Sequence, residues 1–184
     1  MAKITHYIPM ACYDNIYDVD YNKLYSQGKR IILFDLDNTL IPYTQHLIND
    51  KILHLFSDLT SMGFKIGIIS NNNKKRLETF LDGNNYPHVH YALKPRLHGY
   101  RKIYKILNNP PKEEVVSIGD QLLTDVVGSN RFGFDVILVK SIERKSEHWY
   151  TRINRLRSKY ILKKIKKMDE NIYQQIKKVD EKNE

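Results

Sequence analysis

The stretch Ile31-Ile-Leu-Phe-Asp35-Leu-Asp37-Asn-Thr39-Leu40 decides how this chain folds. Ile31 to Phe34 form the continuous apolar run of a strand buried on both faces, and the run ends on two carboxylates one residue apart. A buried carboxylate is costly unless a cation or hydrogen-bond donors compensate it. Asp35 and Asp37 therefore belong where solvent, a metal or a ligand can reach them, and the carboxyl end of a strand in an open α/β sheet is such a place. Taken alone, an acid pair after an apolar run is as readily a turn as a site. Groups at later strand ends decide between the two.

Downstream of Pro42, Asn49 or Asp50 caps a helix whose apolar residues run from Ile52 to Met62 at helical spacing, with Gly63 as the stop. Phe64 to Ile69 reads as a second buried strand and ends on Ser70-Asn71-Asn72-Asn73. A helix through Leu77, Phe80 and Leu81 stops near Gly83. A weaker strand, Val89 to Leu93, ends at Lys94-Pro95, and Pro95 suits the first turn of the next helix, which carries Tyr100, Ile103, Tyr104 and Leu107. Val115 to Ile118 runs into Gly119-Asp120 and Asp125. A short helix then stops near Gly133, and Val136 to Val139 is the fifth strand. Strands alternating with helices predict a parallel sheet covered on both faces, an α/β three-layer fold.

The bulk properties limit the alternatives. A chain of 184 residues suits one sizeable core. The single cysteine, Cys12, excludes an internal disulfide, gives too few thiolates for a zinc or iron-sulfur site, and reads as a packing residue in a reducing cytosol. No apolar run is long enough to span a bilayer, and residues 1–29 lack a secretory apolar segment, so a cytoplasmic protein is expected. The formal charge of +9 is concentrated at the end, where residues 144–184 hold 13 Lys/Arg against 6 Asp/Glu.

At the strand ends, Asp35 and Asp37, Ser70 and Asn71, Lys94, and Asp120 and Asp125 share one edge of the sheet. Acids, a hydroxyl and a lysine together suit a phosphate and a hard cation, because carboxylate oxygens bind Mg²⁺ and phosphoryl transfer depends on positioning and charge neutralisation. Ser70 could instead cap a helix, and Asp125 could be a cap or a surface charge. His88 and His90 have no partner cluster in the sequence and read as ordinary loop histidines.

On these residues the sequence resembles the haloacid dehalogenase-like (HAD) phosphatases, subfamily IIIA. Asp35-Leu-Asp37-Asn-Thr39, Ser70, Lys94, and Gly119-Asp120 with Asp125 match the four signature motifs in order. Ile69-Ser-Asn-Asn-Asn-Lys-Lys-Arg76 and Gly119-Asp-Gln-Leu-Leu-Thr-Asp125, followed by Gly128-Ser-Asn-Arg-Phe-Gly133, are similar to the YqeG-type branch, which is linked to phosphatidylglycerophosphate phosphatases. The resemblance covers roughly residues 30 to 155. It implies a Rossmann-like α/β/α fold with five parallel strands in the order 5-4-1-2-3. It makes Asp35 the nucleophile and Asp37 the general acid and base, with Ser70, the Asn71 amide and Lys94 on phosphate. It assigns Mg²⁺ to Asp35, the Asp37 carbonyl and Asp120, with Asp125 as a ligand or its support. An acid at Asp37 favours a phosphatase over a pump or a dehalogenase.

Only 32 residues separate Asp37 from Ser70, and 23 separate Ser70 from Lys94. One helix and one strand fill each interval, so no large cap domain is expected and the site should be open. The expected organisation is an N-terminal extension over 1–29 packed on the core, the phosphatase domain over 30–143 and a basic amphipathic helical segment over 144–184. From Arg144 to Lys167 ten Lys/Arg stand against one acid, interleaved with Trp149, Tyr150, Ile153, Leu156, Tyr160, Ile161 and Ile165. Such a segment suits an anionic membrane surface through 144–168, or it docks its apolar stripe on the protein's own sheet. The last dozen residues read as frayed.

The leading expectation is a Mg²⁺-dependent phosphomonoesterase acting on a phosphatidylglycerophosphate-like lipid at the inner face of the cell membrane. One rival is a soluble phosphatase for a nucleotide, sugar phosphate or nucleic-acid end. Another is a non-catalytic module binding RNA or a ribosomal partner, although no RNA-binding signature accompanies the basic charges.

Overall fold

The computed structural model describes residues 2–143 and 149–180, with backbone alone for 149–156. The elements in chain order are β1 (Ala11–Tyr13), α1 (Tyr21–Ser26), β2 (Ile31–Phe34), α2 (Asp50–Ser61), β3 (Lys65–Ile69), α3 (Lys74–Leu81) and β4 (His88–Val89). They continue with α4 (Leu97–Ile106), β5 (Val115–Gly119), α5 (Val127–Phe132), β6 (Asp135–Val139), α6 (Trp149–Met168) and α7 (Glu170–Asp180). One parallel sheet runs in the order β1-β6-β5-β2-β3-β4.

Alternation along each strand shows why helices cover both faces. Ile32 and Phe34 of β2 join Val116 and Ile118 of β5 in a core closed by Ile52, Phe56 and Leu59 of α2 and by Leu77 and Phe80 of α3. Ile31 and Leu33, one residue out of phase, pack on the opposite face with Tyr100 and Ile103 of α4. The side-chain amides of Asn49 and Asn73 accept the Ile52 and Arg76 N–H groups, which start α2 and α3.

The order β6-β5-β2-β3-β4 is the one implied for five strands, and the sheet has a sixth. Residues 11–13 form β1, which pairs with β6 through Cys12 and Leu138 at the edge. Three residues in a polar, tyrosine-rich region carry too little pattern to read as a strand. Burial pushes the Cys12 thiol up to about 12, so it stays protonated in this packing position at neutral pH. The third expected strand is shorter than read: Tyr91 and Leu93 adopt φ of 46° and 57°, which ends extended pairing after Val89. Pro95 lies before α4, whose cap is Arg96, so it does not occupy the first helical turn.

Residues 144–148 of the expected basic segment, and the side chains of Trp149, Tyr150, Ile153 and Leu156, lie outside the described residues. Beyond them the apolar stripe packs inward. Leu162 and Ile165 of α6 join Ile176 and Val179 of α7 against Val136 and Leu138 of β6. The final residues are therefore not frayed as far as Asp180, because α7 is anchored on the sheet. Lys159, Lys163, Lys164, Lys166 and Lys167 remain exposed. No helix among the described residues is long and apolar enough to cross a membrane. Ile165 is fully buried, so Ile165→Ala should lower the unfolding free energy by about 2–5 kcal/mol. Chemical denaturation monitored by circular dichroism measures it, and a change near zero would detach α6 from the core.

Candidate active site

The strand ends bring the predicted residues together. The Asp35 N–H donates to the Ile118 carbonyl at 2.8 Å, so Asp35 is the first residue past β2 and still belongs to the ladder with β5. The chain then turns tightly, with Asn38 in the left-handed region at φ 67°. Ser70 follows β3 and Asp120 follows β5, both buried. Lys94 arrives from the loop after β4 and places its ammonium at the Asp35 Oδ1, 2.5 Å away, with a further bond of 2.9 Å to the Ile69 carbonyl.

The Lys94 ammonium also donates to Asp125 Oδ1 at 2.6 Å. Asp125 reaches it from a π-helical turn over Leu122–Val126, with Oδ2 accepting the Gln121 N–H at 3.0 Å and the Thr124 hydroxyl at 3.3 Å. Asp125 is buried and bonded inward, so it is no surface charge. Burial pushes the Asp35 carboxyl well above the usual carboxylate range, an effect that Lys94 opposes and that Asp125 and Asp120 reinforce. Burial alone would lower Lys94, but Asp125 and Asp35 outweigh it and hold the ammonium above its usual range.

Asp35, Asp120 and Asp125 each offer an oxygen within 4.8 Å of the others. Three buried carboxylates around one ammonium leave the cluster short of positive charge, and the donors are all hard oxygens. That set fits a divalent cation of the Mg²⁺ type.

The Asp37 carboxylate faces another way. Arg76 donates to Asp37 Oδ1 through Nε at 3.0 Å and Nη2 at 2.9 Å, and the Asn72 amide donates to Oδ2 at 3.1 Å. The same guanidinium reaches the Gln45 and Pro42 carbonyls and the His46 ring, so it clamps the loop after β2 against α3. A cavity of about 160 Å³ is lined by Asp35, Asp37, Ser70, Asn71, Lys94 and Thr124, among others. The Ser70 hydroxyl accepts the Asn72 N–H at 3.0 Å, whereas the cap of α3 is Asn73. The Asn71 side chain bonds both backbone groups of Lys94, at 2.6 and 3.2 Å, and so ties the segment after β3 to the one after β4.

Arg76 and Asn72 are the residues sequence reasoning missed. Both lie in the Ser70–Arg76 segment, but only tertiary structure shows that they converge on Asp37. Thr39, whose hydroxyl donates to Asp35 Oδ2 at 3.2 Å, was visible four residues after the acid. The position of Asp125 also depends on the absence of a side chain at Gly119. A Cβ built there would stand 2.4 Å from Asp125 Cγ. Gly119→Ala should therefore displace Asp125 and reduce phosphatase kcat/KM by about 10–100-fold, the range found when support of a metal centre is lost. Steady-state kinetics measures the loss, and an unchanged value would show that Asp125 can move without consequence.

A parallel α/β/α sheet that gathers acids and a lysine at its carboxyl edge defines a hydrolase built for phosphate chemistry. A family model described as HAD-hydrolase-like matches residues 92–168. "Probable phosphatase YqeG" from Bacillus subtilis (strain 168) is 33% identical over 161 residues, covering 88% of this chain and 92% of that protein. The HAD-hydrolase YfnB from Bacillus subtilis, solved bound to magnesium, superimposes with a TM-score of 0.51 at 15% identity, over 61% of this chain and 87% of that one. The chain belongs to the haloacid dehalogenase-like hydrolases, on the YqeG-type phosphatase branch.

Proposed function

We propose that the protein is a Mg²⁺-dependent phosphomonoester hydrolase working through an aspartyl-phosphate on Asp35, with phosphatidylglycerophosphate at the cytoplasmic face of the membrane as substrate. The observation that carries the chemistry is the contact of Asp35 with Lys94 inside the buried acid cluster, beside a cavity of phosphate scale.

In this reading an Asp35 oxygen attacks phosphorus and the ester bond to the leaving alcohol breaks. Asp37 gives the departing oxygen its proton, then accepts a proton from the water that attacks the phosphoenzyme, releasing phosphate and restoring Asp35. Arg76 holds Asp37 Oδ1 and the Asn72 amide donates to Oδ2, so the carboxylate that carries the proton is oriented through both oxygens. Ser70 and the Asn71 amide hold the phosphate oxygens, and Lys94 offsets charge on phosphate and nucleophile. Asp35, the Asp37 carbonyl and Asp120 would hold the metal, and Asp125 anchors Lys94 while supporting the cluster. Bound Mg²⁺ supplies charge neutralisation between carboxylate and phosphate.

The lipid assignment is supported by the branch resemblance, by the short inter-motif segments that insert no cap, and by the exposed lysines of α6. Because Leu162 and Ile165 face the core, membrane contact would be electrostatic, at about 1 kcal/mol for each basic residue near the surface. The same inward packing favours a second reading, a soluble phosphatase in which α6 and α7 are structural. Phosphate release from a panel of lipid, nucleotide and sugar phosphates, with and without Mg²⁺, tests the substrate. Preference for the lipid supports the proposal, and turnover of an aryl phosphate without any of the lipid removes it. Pelleting with anionic but not neutral vesicles, reversed by salt, supports the membrane site, and no pelleting favours the soluble reading.

A further inference from the structure

A second cavity, of about 790 Å³, opens beside the acid cluster, within the range of roughly 300–1,000 Å³ usual for ligand sites. Thr124 lines both cavities and is the wall they share. Leu123, Tyr160 and Ile161 give the larger one apolar surface, and Tyr160 is 62% exposed. Arg131 of α5 and Arg157 of α6 give it two exposed guanidinium groups, and no carboxylate lines it among the described residues. Arg131 Nη1 donates to the Pro95 carbonyl at 3.4 Å, which ties that charge to the residue following Lys94. Two guanidinium groups with no acid lining the groove among the described residues attract an anion, and adjoining apolar surface favours an anion attached to a nonpolar body.

A phosphate held at Asp35 must direct its alcohol out of a small cavity, and the groove behind Thr124 adjoins it. We propose that this groove is the leaving-group subsite, and that it takes the alcohol half of an amphiphilic phosphomonoester. A second anionic group sits on Arg131 and Arg157, and the apolar portion lies on Leu123, Tyr160 and Ile161. The inference rests on the phosphatase reading of Asp35 and adds the residues that select the substrate.

The test compares wild type, Arg131→Gln, Arg157→Gln and the double variant on three substrates. These are p-nitrophenyl phosphate, dihexanoyl phosphatidylglycerophosphate held monomeric so that no membrane surface is present, and a sugar bisphosphate lacking an apolar part. A hydrogen bond to a charged group contributes about 1.5–3 kcal/mol, so each substitution should lower the ratio of lipid to aryl-phosphate kcat/KM by about tenfold or more. Inhibition by dihexanoyl phosphatidylglycerol, the product alcohol, should weaken in parallel, a readout that does not pass through the chemical step. An unchanged ratio in the double variant, with the aryl phosphate still hydrolysed, overturns the subsite and leaves the phosphatase reading standing. A sugar bisphosphate turned over as well as the lipid overturns the apolar half. Failure of wild type on all three substrates overturns the phosphatase reading, and the subsite with it.

Discussion

Asp35→Asn should abolish phosphomonoester hydrolysis, with kcat reduced by at least about 10⁴-fold, the scale seen when a catalytic nucleophile is removed. The substitution keeps the side chain's shape but replaces the carboxylate proposed to attack phosphorus with an amide. It also removes one of the two carboxylates that meet Lys94, while Asp125 remains to hold the ammonium. The fold should survive, so circular dichroism and thermal unfolding of the variant should stay close to wild type while phosphate release falls to background. Residual turnover near wild type would move the nucleophile elsewhere.

The second large effect is expected on removing divalent cations. Asp35, Asp120 and Asp125 converge within 4.8 Å in a buried setting, and their mutual repulsion favours a bound cation. Removing metal with EDTA should bring activity to background, and added Mg²⁺ should restore it. Asp120→Asn should raise the Mg²⁺ concentration for half-maximal activity by more than the roughly 10–100-fold typical of residues that only support a ligand. Titration calorimetry with Mg²⁺ alone measures the same loss without substrate. Full activity in EDTA would contradict the assignment of the acid cluster.

Much of the fold is legible in the sequence because buried parallel strands are continuous apolar runs. Ile31 to Phe34, Val115 to Ile118 and Val136 to Val139 stand out, and each connection between them is about one helix long. The acids at their ends follow, since a carboxylate just past a buried strand can only face a crevice. What was not legible depends on contacts distant in sequence. β1 owes its strand conformation to pairing with β6, and its three residues have no pattern of their own. The clamp of Arg76 on Asp37 spans 39 residues and resembles any basic helix start. The C-terminal stripe suits a membrane or a sheet equally well, and the choice is made by Val136 and Leu138, which offer it an apolar face.

The same distinction separates Asp37 from the other acids. Spacing along a strand end suggests a shared site with Asp35, yet beyond the end of β2 the two carboxylates take different partners, Lys94 for one and Arg76 for the other. The proposed division of labour between nucleophile and proton carrier is consistent with that geometry, because of the two only Asp35 joins the acid cluster.

Trapping the phosphoenzyme tests the central claim most directly. Asp37→Asn protein mixed with substrate and Mg²⁺, quenched in acid and digested, should yield a peptide containing Asp35 that carries one phosphoryl group, absent from Asp35→Asn protein treated identically. A phosphoryl group on any other residue, or hydrolysis that proceeds at wild-type rate with no labelled peptide, would contradict it.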